Sequence, residues 1–204
     1  MNLKTFIDTT NNSFSFSSCE GCFARCCDGR EGSVYSELLL EEFERVSKYF
    51  PILFTFGELG FLKANILLSN GKDFCPYIVN YKCTIYEERP QVCRNYPLSP
   101  HIDNHIYIDD SCPAIKSFEG VDIVVDGEIQ EPFYNRSLEN YQEKFLDTYI
   151  YLKKFNLESN FEKVVTINGI DFFKFIGNSE DKFIKLHIQS INNLQKVLKG
   201  KKWN

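Results

Sequence analysis

Cysteine is the residue type best placed to do chemistry in this 204-residue chain, which has eight of them, all in its first three-fifths. Cys83 and Cys93 lie within CTIYEERPQVCRNYP, Cys83 to Pro97. An upstream knuckle reads Cys19-Glu-Gly-Cys22-Phe-Ala-Arg-Cys26-Cys27, and Cys75 and Cys112 are each followed by proline. A thiolate is a soft, charged ligand that is costly to bury unless a cation neutralises it. The two-residue gap between Cys19 and Cys22 lets two sulfurs close on one ion, and Cys26 follows at a similar distance as a third ligand. Neighbouring Cα atoms sit about 3.8 Å apart, shorter than the usual disulfide span, so a Cys26–Cys27 bridge would be strained. Adjacent side chains also tend to diverge. The pair is therefore expected to serve two ions, or to place one bridging sulfur between two. The eight thiolates Cys19, Cys22, Cys26, Cys27, Cys75, Cys83, Cys93 and Cys112 would then fill two four-sulfur sites, for zinc or iron. Arg25, Arg30, Arg89 and Arg94 lie beside the cysteines in sequence, and some of them are expected to donate to sulfur or to nearby carbonyls.

The order of the gaps narrows the metal chemistry. Radical-SAM enzymes space their cysteines three then two, the reverse of Cys19/Cys22/Cys26. Bacterial ferredoxins use two, two and three before Cys-Pro, a run that this chain lacks although it has Cys-Pro twice. His101 and His105 fall between Cys93 and Cys112 and could each replace a thiol, but eight thiols already suffice, so both are read as loop histidines and His187 as structural. Tyr86 and Tyr96 flank the second cysteine block and are read as packing around the site. Asp109-Asp110 is read as a turn leading into Cys112. The chain has no phosphate-cradling glycine loop, so a self-contained Rossmann methyltransferase is not expected. No catalytic residue and no organic cofactor is assigned.

The ordered knuckle, then Cys75-Pro76-Tyr77, then Cys83-Thr-Ile-Tyr86-Glu-Glu-Arg89-Pro90-Gln-Val-Cys93-Arg94-Asn-Tyr96-Pro97, resembles the YkgJ-type cysteine-cluster proteins. The resemblance runs roughly from Cys19 to Cys112. It implies a zinc- or iron-chelating domain, with the eight cysteines as ligands. Some members are named as flagellin lysine N-methylases, so the resemblance leaves open a protein-modifying enzyme or accessory factor. An iron or iron–sulfur redox protein is the other alternative to a metal-binding module. Nothing after Ala114 carries a resemblance.

The elements that must position these residues follow from composition and periodicity. Nineteen phenylalanines and eleven tyrosines against one methionine and one tryptophan predict a core filled by aromatic bulk. The net charge of −5 disfavours nucleic acid as a partner. The N-terminus lacks a signal-peptide core and no run is long enough to span a membrane, so a cytoplasmic protein is expected, with an unidentified protein as its partner. In that compartment thiols stay reduced, which favours metal over disulfide. Helices are predicted over Leu3 to Asp8, Glu37 to Tyr49 with Ser36 as N-cap, Glu87 to Tyr96, Ser137 to Phe155, and from Ser179 to Gly200. Strands are predicted at Val34-Tyr35, Phe61 to Leu68 and Ile106 to Ile108, with hairpins around Asp126-Gly127 and Asn168-Gly169. Gly21, Gly29 and Gly32 are expected to make tight turns around the knuckle. The fold class is α+β: a small irregular cysteine-rich core packed with helices and short antiparallel hairpins. A cysteine-cluster region, 1–120, and a hairpin and helix region, 121–204, are expected to pack as one compact domain.

Overall fold

The computed structural model describes residues 4–20, 22–57, 60–115 and 120–202. Two short strands, β1 (Phe6–Asp8) and β2 (Phe14–Phe16), precede the knuckle. After it come β3 (Tyr35–Glu37), α1 (Phe43–Val46), β4 (Ile52–Phe56) and β5 (Leu62–Leu67). The second cysteine block is carried by β6 (Ile78–Val79), β7 (Lys82–Cys83), α2 (Gln91–Asn95), β8 (Leu98–Pro100) and β9 (Ile106–Asp109). The chain continues through β10 (Val121–Val125), β11 (Glu128–Ile129), α3 (Tyr141–Leu152), β12 (Phe161–Ile167), β13 (Ile170–Phe175), α4 (Lys182–Ser190) and α5 (Leu194–Lys199).

Among the described residues every strand pairing is antiparallel, and the class is α+β as expected. The largest sheet runs β12-β13-β4-β5-β3, so the C-terminal hairpin is stitched to strands that flank the knuckle. Two three-stranded sheets, β1-β9-β8 and β11-β10-β2, and the β6-β7 ribbon complete the set. The main core is aromatic, as the composition predicts: Phe43, Phe50, Phe54 and Phe172 are fully buried. Phe54, Phe161 and Phe175 pack edge to face at 5.3 and 5.4 Å, the geometry ring quadrupoles prefer. A second, smaller core of Leu98, Ile108, Ile123, Val124 and Leu138 lies under the small sheets. No helix among the described residues is long and apolar enough to cross a membrane.

The predicted helices differ from what forms; the one predicted over Glu87 to Tyr96 splits into a 3-10 turn, Tyr86–Glu88, and α2, with Pro90 between them. The segment predicted as a helix from Leu3, which lies outside the described residues, contains β1 instead, with Phe6 opposite Asp109. So short a helix could not hold itself together, and pairing with β9 satisfies the same backbone groups. The helix predicted from Glu37 shrinks to a 3-10 turn, Leu40–Glu42, and the single turn of α1. Ser36, its expected N-cap, sits in β3 opposite Ile66, so sheet pairing takes the residues the first helical turn needs. α3 starts after Asn140 rather than at Ser137, which lies in a 3-10 turn capped by the Asn135 side chain. The last helix is capped by Asp181, whose carboxylate accepts from the Phe183 and Ile184 amides at 2.9 and 3.4 Å, rather than by Ser179. β4 has no counterpart among the predicted strands: its short, mostly apolar run after Pro51 does not by itself distinguish a strand from a buried helical segment.

Candidate metal centre

The knuckle is built by its own backbone. The Cys22 amide donates to the Cys19 carbonyl at 3.4 Å, Arg25 to Cys22 at 3.3 Å, and Cys27 to Ala24 at 2.8 Å. Phe23 and Ala24 are both left-handed, with φ of 52° and 54°, which folds the three-residue gap back on itself. Gly32 lies against the backbone of Cys26, where a Cβ would collide with its carbonyl, and Gly29 lies equally close to Asp73. Gly21 falls outside the described residues. The Cys75 amide then donates to the Cys27 carbonyl at 2.8 Å, joining the knuckle to the second block. Ile78 donates to the Cys75 carbonyl at 3.2 Å and pairs with Cys83, so the β6-β7 ribbon carries two thiols to the same place. Cys93 comes from α2, whose N-cap is Pro90.

Seven of the eight cysteines, Cys19, Cys22, Cys26, Cys27, Cys75, Cys83 and Cys93, line one cavity of about 710 Å³. Cys112 is not in that lining. It is buried in the smaller core beside Tyr96, whose hydroxyl also donates to Asp109 Oδ2 at 3.1 Å. All eight thiols are free. Among the described residues no three potential ligand side chains already meet at one point; the thiols line the wall instead. The Cys26 and Cys27 sulfurs lie 3.9 Å apart. Sulfurs at 2.3 Å from a tetrahedral zinc are about 3.8 Å from each other, so this pair can share an ion. The divergence expected of adjacent side chains is not observed, because the 3-10 turn Arg25–Cys27 brings the two sulfurs together.

Burial makes each thiolate costly, and the proton balance reflects it. The Cys75 thiol is pushed up to about 12 and Cys19 to about 11, chiefly by burial. Burial also raises Cys93, Cys83 and Cys112. Cys26 is lowered, chiefly by its sulfur–sulfur hydrogen bond with Cys27, with Lys4 and Arg89 adding positive charge. Cys27 is raised by the same bond. Soft donors around one cavity, most of them disfavoured as isolated anions, suit a bound zinc or iron, whose charge reverses that penalty.

The surrounding side chains sort by partner. Arg89 lines the cavity, donates from Nε to the Tyr86 carbonyl at 2.8 Å and stacks 3.5 Å above the Tyr86 ring. Arg94 donates to the Arg89 carbonyl at 2.9 Å and to the Glu87 carbonyl. Arg25 and Arg30 instead pair with the carboxylates of Glu31 and Asp28, at 2.9 and 2.6 Å. Tyr86 and Tyr96 both line the cavity, as expected. His101 and His105 sit outside it, on the surface, paired with Asp103 and Asp8. His187 is fully buried in the main core. Asp109 is more than a turn residue: fully buried, it also accepts from the Ser111 amide and hydroxyl. Sequence reasoning missed Lys4, which lines the cavity from the N-terminal segment. Read as a strand, Lys4-Thr5-Phe6-Ile7-Asp8 places Lys4 and Phe6 on one face, a pattern that the helical reading hid.

Residues 18–113 match the CxxCxxCC family model, described as "Putative zinc- or iron-chelating domain". The match agrees with the resemblance drawn from the cysteine order. The CxxCxxCC segment of this chain departs from the family's name in one detail: three residues, not two, separate Cys22 from Cys26. The two left-handed residues lie in that gap. The segment ends just past Cys112 and contains all eight cysteines. No solved structure matches the chain.

Proposed function

We propose that this protein is a thiolate metal centre for zinc or iron, with Cys19, Cys22, Cys26, Cys27, Cys75, Cys83 and Cys93 as ligands and Cys112 as the eighth. The observation that carries this reading is that thiols from separate segments of the CxxCxxCC region line one cavity. Eight thiols suit two ions with four sulfurs each. Zinc would supply a closed, redox-inert site, and iron would add electron transfer. The chain's own part is to gather the thiols around one cavity, with Ile78, Ile85 and Val92 as its apolar lining, and to place Arg89 in the same lining. Eight free thiols suit a reducing, cytoplasmic setting.

Metal content and the visible spectrum test this, on protein purified without oxygen and without a metal-affinity column. About two zinc ions per chain and no colour support a closed pair of sites. Iron with visible absorption supports the redox alternative and calls for a reduction potential. Folded protein with all thiols free and less than about half an equivalent of any metal would end the metal reading.

A further inference from the structure

A loaded centre of the kind proposed above has a charge problem. Eight thiolates around two divalent ions leave roughly four negative charges in a partly buried cavity, where desolvation makes uncompensated charge expensive. Arg89 lines this cavity. Lys4 lies outside the matched segment 18–113, yet its side chain lines the same cavity and is only 18% exposed.

The contacts of Lys4 hold its ammonium in the cavity lining. Its nearest polar partner is a neutral hydroxyl, Ser33 Oγ, at 2.8 Å. It also pairs with the fully buried Asp109 carboxylate at 3.9 Å. The ammonium sits 5.1 Å above the ring of Tyr96, which lines the same cavity. Its position is set by sheet pairing: Asp110 donates to the Thr5 carbonyl at 2.8 Å and Phe6 pairs with Asp109, which docks the N-terminal segment against β9.

We propose that Lys4 is a resident counter-charge of the thiolate centre, a positioning residue that favours the metal-loaded state over the metal-free one. The sign follows from the charge change. Eight thiolates around two divalent ions make an anionic centre, and a cation held in the cavity lining stabilises it. This rests on the metal reading above.

The test is a chelator-competition titration with zinc on the full chain, alongside urea unfolding of the metal-free and loaded forms. Lys4→Met is expected to weaken zinc binding by about 10–100-fold, the range typical of groups that support metal ligands. Lys4→Arg, which keeps the charge, is expected to restore most of the loss. Ser33→Ala, which removes the anchor but leaves the charge, is expected to cost less than Lys4→Met. An affinity unchanged in Lys4→Met, with both forms equally destabilised, makes Lys4 a structural clamp and overturns the proposal while leaving the metal reading intact. Wild-type protein that takes up no zinc or iron removes the metal reading itself. If Lys4→Met does not fold, Lys4→Gln replaces it under the same criteria.

Discussion

At the residue scale, the thiols are not equivalent. Cys26 lies in the cavity lining with its sulfur 3.9 Å from that of Cys27, whereas Cys112 stands outside the lining beside Tyr96. Cys26→Ser should therefore strip at least about half of the bound metal, and Cys112→Ser distinctly less, with metal content per chain as the readout. Equal loss in both variants would put Cys112 on the same footing as the wall cysteines. His187 gives a separate prediction far from the centre. Its Nε2 accepts from the Phe175 amide at 2.9 Å and its Nδ1 donates to the Ile52 carbonyl at 2.7 Å, a neutral ring held at both ends. Burial lowers its pKa to about 4, from the usual value near 6.5. A lowered folded-state value means that the unfolded chain takes the proton first. The stability this ring confers is whole above about pH 6.5 and drains away as pH falls to about 4, on the order of 3 kcal/mol in all. Urea midpoints of loaded protein measured from pH 7.5 to 4.5 should fall less steeply in His187→Gln, even though that variant starts lower. Parallel slopes would assign the acid lability to other groups.

At the scale of elements, the knuckle depends on close backbone packing that a single methyl group would disturb. Gly32 sits against the Cys26 carbonyl, so Gly32→Ala must push that turn away from the cavity. The expected cost is about 1–3 kcal/mol of stability, with weaker metal binding in the same variant. A thermal scan and a zinc competition titration check the two parts, and an unchanged affinity would show that the knuckle tolerates the shift. The elements also show which local signals can be read. Both hairpins are where Asp126-Gly127 and Asn168-Gly169 announce them, because a tight hairpin turn needs positive φ. These four residues have φ of 48°, 89°, 52° and 82°. The helix expected from Glu37 begins only at Leu40, because Tyr35–Glu37 pairs with β5, a partner that helical spacing in one segment cannot reveal. The same is true of β1, whose partner β9 lies about a hundred residues away.

At the scale of the whole molecule, the cavity is held by parts that lie outside the cysteine region. Phe50 and Leu68 form part of its lining and also belong to the main core, which includes Phe161, Phe172 and Phe175 from the C-terminal hairpin and Ile184 from α4. Metal and fold should therefore be coupled in both directions. Structural zinc binding is worth on the order of 10–16 kcal/mol, against a net domain stability of about 5–15 kcal/mol. Stripping the metal with a strong chelator should lower the midpoint of thermal unfolding by at least about 10 °C, and adding zinc back should restore it. A midpoint that does not move would mean that the aromatic core stands alone and the centre is an accessory to it.

The sequence by itself determined the number and order of the thiols, the α+β class, the aromatic character of the core and the two tight hairpins. Each of these rests on composition or on spacing within a few residues, and so on local geometry. Only the tertiary structure decided that Cys75, Cys83 and Cys93 share a wall with the knuckle while Cys112 sits behind Tyr96 in a second core. It also decided that Arg25 and Arg30 turn to carboxylates while Arg89 stays with the thiols, and that Lys4 joins them. These outcomes depend on pairings between distant segments, such as β1 with β9 and Cys27 with Cys75, which the chain adopts only as the core closes around them.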